Sequence, residues 1–327
     1  MKGTVALVCL SVAAAAFAAD RKVGIIGCDT SHAIAFAKIA NVDRDPSVAG
    51  FRVAAAYQWG SRDIVTSTNR YPEYLKKLAD MGVEMKPSIA ALLAEVDCVL
   101  LETNDGRPHY EQALEVFRSG KPVFIDKPVA ADLADAVKIV EAGRKLNAKW
   151  FCTSCLRFQG VIDGVKAGKY GRLRGAETFS PYKVEPTQSR YYWYAIHGAE
   201  PLFALMGTGC REVRCIAGAH EDVLVGTWAD GRIGVQRALD VNTMDGTGYG
   251  GSVQTEKGCV ALNGNMGYQP LLAAIMEFFR TGRTPVSPEE TLEIYAFLKA
   301  AEKSHAEGGR TVTLAEVMNE ARQGKAK

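Results

Sequence analysis

The chain has 327 residues, with 39 Lys and Arg against 37 Asp and Glu, and 47% of its residues are hydrophobic while 23% are charged. This balance excludes an intrinsically disordered chain and a polybasic nucleic-acid-binding protein. The length exceeds what one hydrophobic core usually organises, so we expect two domains.

The first 18 residues have the pattern of a Sec-type signal peptide. Lys2 provides a positive start, residues 5–16 are apolar, and Ala16-Phe17-Ala18 has the small residues that a signal peptidase recognises. The apolar run is shorter than the roughly 20 residues of a membrane span. We therefore expect cleavage after Ala18, no membrane span in the mature chain, and a periplasmic or extracellular protein.

From Arg21 onwards, apolar runs alternate with helical patterns. The patterns predict strands at residues 22–27, 51–57, 96–102 and 122–125, and helices at residues 31–41, 71–81, 89–95, 109–119 and 131–146. Strands that alternate with helices of this length indicate parallel βαβ units. We predict an α/β fold with a doubly wound parallel sheet, a Rossmann domain over residues 19–148, whose ligand lies at the carboxyl ends of the strands.

The turn after the first strand reads GCDTSH from Gly27 to His32, where a dinucleotide-binding motif has small residues at the first, third and sixth positions. Gly27 keeps the tight turn. Asp29 would repel a phosphate unless its carboxylate turns away or caps the next helix, whereas His32 can donate to a phosphate. With Thr30 and Ser31, these residues form the predicted phosphate-binding loop.

The loop after the second strand lacks the acidic residue that an NAD-preferring site uses for the ribose hydroxyls. Ser61 and Arg62 stand there instead. Two interpretations are comparable: the pair holds the 2′-phosphate of NADP, which favours NADP slightly over NAD, or the loop is solvated and carries one arginine.

Seven of the eight cysteines follow the leader, and an odd number cannot all pair within one chain. Cys152 and Cys155 have C-x-x-C spacing but lie in a strand-like run over residues 150–158, where residues three apart point to opposite faces. No second ligand pair follows at the spacing of a zinc finger or ribbon. We predict core cysteines and no metal site.

After residue 158 the composition changes to short β-like runs at residues 175–182, 222–228, 232–238 and 258–262, separated by glycine turns. Asp230-Gly231 predicts a hairpin between two of them. This change marks a second domain over residues 149–327.

Three ordered motifs resemble the Gfo/Idh/MocA family, which includes glucose–fructose oxidoreductase and inositol dehydrogenase. They are NDGRPH ending at His109, GKPVFIDKP containing Asp126 and Lys127, and LRF around Arg157. The family usually has Glu in place of Asp126, and the leader and altered glycine motif indicate an exported subgroup. The resemblance implies a C-terminal α/β domain with an open, mainly antiparallel sheet that makes homo-oligomer contacts.

The resemblance also implies the catalytic roles. Lys127 lies near the nicotinamide and the substrate, and His197 is the acid/base for a sugar hydroxyl, because imidazole titrates near neutral pH. Trp193 stands where the family has an acid, so Glu200 is the candidate partner of His197. The other candidates are Asn104 and Asp126 for the cofactor, and His109, Arg157, Tyr191 and Trp193 for the substrate, with a structural ion pair as the alternative for Arg157.

Three functions are consistent with these residues. The first is an NAD- or NADP-dependent oxidoreductase acting on a sugar, polyol or related carbohydrate. The second is a redox-neutral glycosidase or lyase with a recycled or absent nucleotide, which Asp29 and the export signal favour. The third is a non-catalytic carbohydrate-binding protein, which leaves Lys127 and His197 unexplained.

Overall fold

The computed structural model describes residues 19–264 and 267–324, so the predicted signal peptide lies outside the described residues. The strands are β1 (Arg21–Ile26), β2 (Phe51–Tyr57), β3 (Glu84–Lys86), β4 (Cys98–Leu101), β5 (Val123–Ile125), β6 (Trp150–Cys152), β7 (Leu173–Tyr182), β8 (Cys210–Ala217), β9 (Glu221–Trp228), β10 (Ile233–Asp240), β11 (Gly250–Thr255), β12 (Gly258–Asn263) and β13 (Val312–Thr313). The α-helices are α1 (Ser31–Ala37), α2 (Val65–Asp80), α3 (Ile89–Leu93), α4 (His109–Ser119), α5 (Leu133–Lys145), α6 (Gly160–Lys166), α7 (Ile196–Met206), α8 (Gln269–Thr281), α9 (Pro288–Ala306) and α10 (Leu314–Arg322).

The first sheet has six parallel strands in the order β3-β2-β1-β4-β5-β6. Its central strands β4 and β5 are buried along their whole length, because helices cover both faces of a doubly wound sheet. Helix ends follow the sequence signals: Thr30 caps α1 through Ala33 N–H, and Gly120 ends α4 at φ +72°. The predicted Rossmann-type sheet is confirmed.

The second sheet has seven strands in the order β12-β11-β7-β10-β9-β8-β13. Only β7 and β10 pair in parallel, and the other neighbours are antiparallel. Residues of β9 alternate between buried and half-buried, which shows that one face packs inward and the other stays open. The predicted hairpin at Asp230-Gly231 joins β9 to β10, so the open, mainly antiparallel sheet is confirmed.

The two predicted domains share packing. Helix α8 follows the second sheet in sequence, yet Leu271, Ile275 and Phe278 belong to the core cluster that contains Phe36 and Phe51 of the N-terminal half. None of the helices among the described residues is long and apolar enough to cross a membrane. The boundary at residue 148 stays a prediction, because the chain returns to the first sheet after leaving it.

Two element boundaries were predicted wrongly. Helix α2 begins at Val65 rather than at residue 71, because the carbonyl of Ile64 accepts hydrogen bonds from Ser67 and Thr68. The strand predicted over residues 150–158 ends at Cys152, and a 3-10 turn follows over Cys155–Arg157. The cause is local, since the Ser154 hydroxyl accepts from the Leu156 N–H and begins the turn.

All seven cysteines among the described residues are free. Cys152 lies in the core, and Cys155 is half-buried in the turn after β6. Burial raises the pKa of both thiols. They therefore lack the depressed pKa that marks a reactive redox pair.

Candidate active site

A cavity of about 750 Å³ opens at the carboxyl edge of the first sheet. Its wall combines the start of α1, the residues after β4 and β5, the turn after β6, and the segments before α7 and α8. The lining residues include Thr30, Ser31, His32, Thr66, Arg70, Asn104, Lys127, Trp193, Tyr194, His197, Tyr249 and Tyr268. This edge is where ligands bind in doubly wound sheets.

The loop after β1 keeps the geometry of a phosphate-binding turn. Gly27 has φ +90°, and a Cβ there would lie 2.5 Å from the backbone nitrogen of Thr103. The carboxylate of Asp29 is fully buried and accepts hydrogen bonds from the N–H groups of Ser61 (2.9 Å) and Asn104 (3.0 Å). Asp29 thus turns away from the start of α1, one of the two arrangements that the sequence left open.

The loop after β2 does not have the arrangement that the sequence suggested for a nucleotide contact. The hydroxyl of Ser61 donates to Asp63 and Asp105 and lies outside the cavity wall, and Arg62 is an exposed side chain. Arg70 of α2 is instead the arginine that lines the cavity. Neither Ser61 nor Arg62 lines the cavity, so the structure does not bring these two residues to the place where a nucleotide in this cavity would lie.

His32 lines the cavity, and its ring also contacts two buried acidic residues beneath the cavity. Its Nδ1 lies 3.0 Å from Oδ1 of Asp126 and 3.8 Å from Oε2 of Glu102. Asp126 is fully buried, and its Oδ2 lies 4.0 Å from Nζ of Lys127, which lines the cavity. Nδ1 of His32 is thus directed at carboxylates, and the contact of this residue with a phosphate stays a prediction.

His197 lies in the first turn of α7 and lines the cavity. Its Nδ1 is 2.7 Å from the hydroxyl of Ser154, and its ring meets Tyr249 edge-on at 5.6 Å between centroids. Burial, followed by the positive charge of Lys127, lowers the pKa of His197 well below 6.5. The imidazole is therefore neutral at neutral pH and can act as a base.

Glu200 does not accompany His197. Its carboxylate is fully buried and accepts hydrogen bonds from Thr153 (2.6 Å) and Nε of Arg157 (2.9 Å). Arg157 also contacts Glu290 at 2.6 Å. Both predicted site residues lie outside the cavity wall, and the structural ion pair is the arrangement that the structure shows for Arg157.

Two predicted substrate contacts, His109 and Tyr191, also lie in the core. His109 is fully buried between the carbonyls of Thr103 and Val129. Tyr191 donates to Asp222 at 2.9 Å. These side chains are satisfied by protein groups away from the cavity, so their predicted substrate contacts are not formed.

Aromatic side chains form much of the cavity wall. Trp193 and Tyr194 come from the aromatic run before α7, and Tyr249 and Tyr268 come from loops near β11 and α8. Sequence reasoning missed Thr66, Arg70, Tyr249 and Tyr268, because they belong to no motif. The one available signal was that Tyr249 and Tyr268 flank glycine-rich loops.

The sequence profile of the Gfo/Idh/MocA family, described as an oxidoreductase family with an NAD-binding Rossmann fold, matches residues 21–153. The N-terminal part of this chain is thus similar to the Gfo/Idh/MocA family, over less than half of the chain's length. The matched region contains the parallel sheet, the loop from Gly27 to His32, and Lys127.

Two curated proteins are similar in sequence to parts of this chain. An uncharacterized oxidoreductase of Streptococcus pneumoniae serotype 4 is 25% identical over 170 residues, 46% of either chain. The 1,5-anhydro-D-fructose reductase of Ensifer adhaerens is 31% identical over 96 residues, 28% of either chain. The chain thus spans less than half the length of these curated relatives.

The fold similarity extends over almost the whole chain. The solved structure of scyllo-inositol dehydrogenase from Lactobacillus casei, with bound NAD(H) and scyllo-inositol, superposes with a TM-score of 0.72. It is 15% identical and covers 90% of this chain and 99% of its own. At this identity the comparison establishes a common fold, including the second domain.

The Gfo/Idh/MocA fold implies a nicotinamide dinucleotide, and the residues at the strand ends fit one. The Gly27 turn leaves no space for a side chain, and the Asp29 carboxylate is held by Ser61 and Asn104. A phosphate beside Thr30 and Ser31 would therefore not face a free carboxylate. Lys127 and His197 line the same cavity as this loop.

Proposed function

We propose that this protein is an NAD- or NADP-dependent oxidoreductase that acts on a hydroxyl of a sugar, polyol or related carbohydrate. The observation that carries the proposal is that Lys127 and His197 line one cavity together with the loop after β1. Relatives of the chain are named for anhydrofructose and inositol chemistry. An inositol or a sugar ring is thus the substrate class to test first.

His197 acts as the base. In the tautomer with its proton on Nδ1, the His197 ring donates to Ser154 Oγ, and Nε2 then carries the lone pair that takes the proton of the substrate hydroxyl. Because burial keeps the imidazole neutral, it accepts this proton without first losing one of its own. The ammonium of Lys127 orients the same substrate oxygen, and an oxidised nicotinamide held in this cavity would accept the hydride from the carbon that bears the hydroxyl.

The aromatic wall selects the substrate class. Trp193, Tyr194, Tyr249 and Tyr268 line the cavity. Such rings pack against the C–H groups of a carbohydrate ring, while Arg70 and Lys127 offer donors to its oxygens. The cavity thus combines aromatic rings with polar and charged side chains.

The export signal and the assembly remain part of the proposal. We infer that residues 1–18 direct export, and that a tightly held nucleotide serves the enzyme where free nucleotide is scarce. We infer also that the open face of the second sheet makes a homo-oligomer.

The first test is for nucleotide itself. The purified protein is denatured, and released NAD or NADP is identified by absorbance and mass spectrometry, followed by titration of each nucleotide into the native protein. We expect release or binding of one of them. If neither nucleotide is released or bound, the oxidoreductase proposal fails.

The second test addresses the two site residues. We expect His197→Asn to lower kcat/KM by roughly 10²- to 10⁴-fold, as the loss of a general base does, and Lys127→Ala to lower it as well. The exposed residues His220 and Lys145 provide matched controls, His220→Asn and Lys145→Ala. Turnover of inositols and aldoses is followed by NAD(P)H absorbance, and unchanged turnover in both site variants would refute the assignment.

A further inference from the structure

Three buried titratable side chains meet beneath the cavity. His32 lies in the first turn of α1, Glu102 follows β4, and Asp126 follows β5. Strands β1, β4 and β5 are neighbours in the parallel sheet, so their carboxyl ends bring these residues together. His32 is 3% exposed, and both acids are fully buried.

The distances among these groups are close to those around a shared ion. His32 Nδ1 lies 3.0 Å from Asp126 Oδ1 and 3.8 Å from Glu102 Oε2. One ligand atom of each residue lies within 4.8 Å of those of the other two. Ligand atoms that share a tetrahedral ion at about 2.1 Å are about 3.4 Å apart, so small side-chain rotations suffice.

The polar atoms of this cluster have no other partners among the described residues. Nδ1 of His32 and all four carboxylate oxygens of Glu102 and Asp126 are buried without a hydrogen bond. Lys127 supplies one positive charge for two carboxylates, and its Nζ stands 4.0 Å from Asp126. A metal ion held between the three side chains would give these buried oxygens a partner.

The sequence at His32 points to the same site. This residue occupies the third small-residue position of the dinucleotide motif, where a glycine lets the helix pack closely on the strand. Here an imidazole fills that space, and its Nδ1 is directed at the two acids. A glycine would satisfy the packing requirement at this position, so packing does not explain why a histidine is present.

We propose that His32, Glu102 and Asp126 bind one divalent transition-metal ion of the Mn²⁺, Fe²⁺ or Zn²⁺ class. One imidazole nitrogen with carboxylate oxygens is a ligand set that suits these ions. Three protein ligands leave a coordination position open, and His32 and Lys127 both line the cavity. The site is separate from the C-x-x-C pair and replaces the expectation that the chain binds no metal.

The test uses the full chain without a polyhistidine tag. The protein is stripped with a chelator, dialysed against Mn²⁺ or Zn²⁺, and its metal content is measured by mass spectrometry, with Mn²⁺ binding followed by electron paramagnetic resonance. We expect one ion per chain and a rise in Tm on metal addition, because a ligand that binds only the folded state stabilises it. Metal content and Tm do not depend on turnover. A failure of the metal proposal can therefore be told apart from a failure of the proposed oxidoreductase activity.

Near-isosteric variants locate the ion. We expect Glu102→Gln and Asp126→Asn to weaken binding by more than the roughly 10- to 100-fold that follows loss of an outer-shell partner. We expect metal addition to raise the Tm of the stripped wild type and to leave the Tm of Glu102→Gln unchanged. Glu115→Gln, an exposed acid on α4, is the matched control and keeps wild-type binding.

Two results would overturn the proposal. If the wild type binds neither ion and its Tm is unaffected by either, the cluster shares protons instead of a metal. If Glu102→Gln, Asp126→Asn and His32→Gln bind as much metal as the wild type, the ion lies elsewhere.

Discussion

A single carboxylate determines how the first strand end is built. Asp29 replaces a small residue of the dinucleotide motif, yet its side chain bridges the N–H groups of Ser61 and Asn104 beneath the loop. Burial raises the pKa of Asp29, and these two N–H groups oppose that shift. The residue therefore joins the tips of three neighbouring strands, and its charge is directed away from the start of α1.

Nucleotide preference depends on which arginine meets the adenosine end. We expect Arg70→Ala to weaken NADP binding about tenfold or more while changing NAD binding little, because one charge-assisted contact to a phosphate contributes roughly 1.5–3 kcal/mol. Arg62→Ala changes neither affinity, since its side chain is exposed outside the cavity wall. Calorimetric titration of both nucleotides measures this, and the opposite pattern would restore Arg62 as the phosphate contact.

The element that shapes the catalytic wall is the turn after β6. A strand over residues 150–158 would have continued along the sheet, but the chain leaves it at Cys152. The turn sets Ser154 against His197 at 2.7 Å and Thr153 against Glu200 at 2.6 Å. A local side chain to backbone bond, from Leu156 N–H to the Ser154 hydroxyl, is thus what aligns the base.

The open face of the second sheet carries half-buried apolar residues. Val225 of β9 pairs with Val235 of β10, and both point to the outer face with Phe179 of β7. Apolar groups on a sheet face indicate an interaction surface. This surface is the one that the proposed homo-oligomer buries.

We expect Val235→Asp to shift the protein from an oligomer to a monomer, because the new carboxylate loses hydration in the interface and lies opposite the carboxylate of Glu177. Molar mass is measured by size-exclusion chromatography with light scattering. Leu146→Asp, at an exposed apolar residue near the end of α5, is the control and keeps the wild-type mass. A monomeric wild type, or an oligomer that persists in Val235→Asp, would exclude this face.

On the scale of the whole molecule, the cavity exists because the two halves of the chain pack together. One core cluster joins Val99 and Ile125 of the first sheet to Leu224 and Trp228 of the second. Helix α8 then packs against the far side of the first sheet. The residues before α7 and α8 are thereby fixed opposite the strand ends of the Rossmann domain.

The free energy of unfolding is expected to fall with pH below 6.5 through His109. Burial lowers the pKa of His109, although the carbonyls of Thr103 and Val129 and the charges of Asp126 and Asp105 act in the opposite direction. Between the folded pKa and 6.5, only the unfolded chain takes up the proton. Each unit of pH in this window therefore costs at most about 1.4 kcal/mol.

Comparing the free energy of unfolding of the wild type with that of His109→Gln isolates the contribution of His109 to the pH dependence. The variant lacks the titrating group, so the stability difference from the wild type narrows as the pH falls from 8 to 5. Urea unfolding at each pH measures the difference. A difference that widens instead would show that the two carbonyls hold an imidazolium.

Much of the fold followed from local pattern. Buried runs such as β4 and the helix caps at Thr30 and Gly120 depend on neighbours in sequence, so the order of strands and helices was predictable. The sequence also indicated Lys127 and His197, since their motifs fall at strand and helix ends. It failed for Glu200, His109 and Tyr191, and it left Arg157 open between a substrate contact and an ion pair, because a polar residue near a motif is equally able to satisfy a buried partner.

The sequence by itself determined the parallel sheet, the change to a mainly antiparallel sheet, and the residues at the tips of the strands, because alternation and turn residues act over short distances. Tertiary structure decided which of those residues face a cavity and which face one another. Arg70 and Tyr268 reach the cavity, and His32, Glu102 and Asp126 converge beneath it, only because the sheet places distant segments side by side. Such contacts join residues far apart in sequence, and no local pattern encodes them.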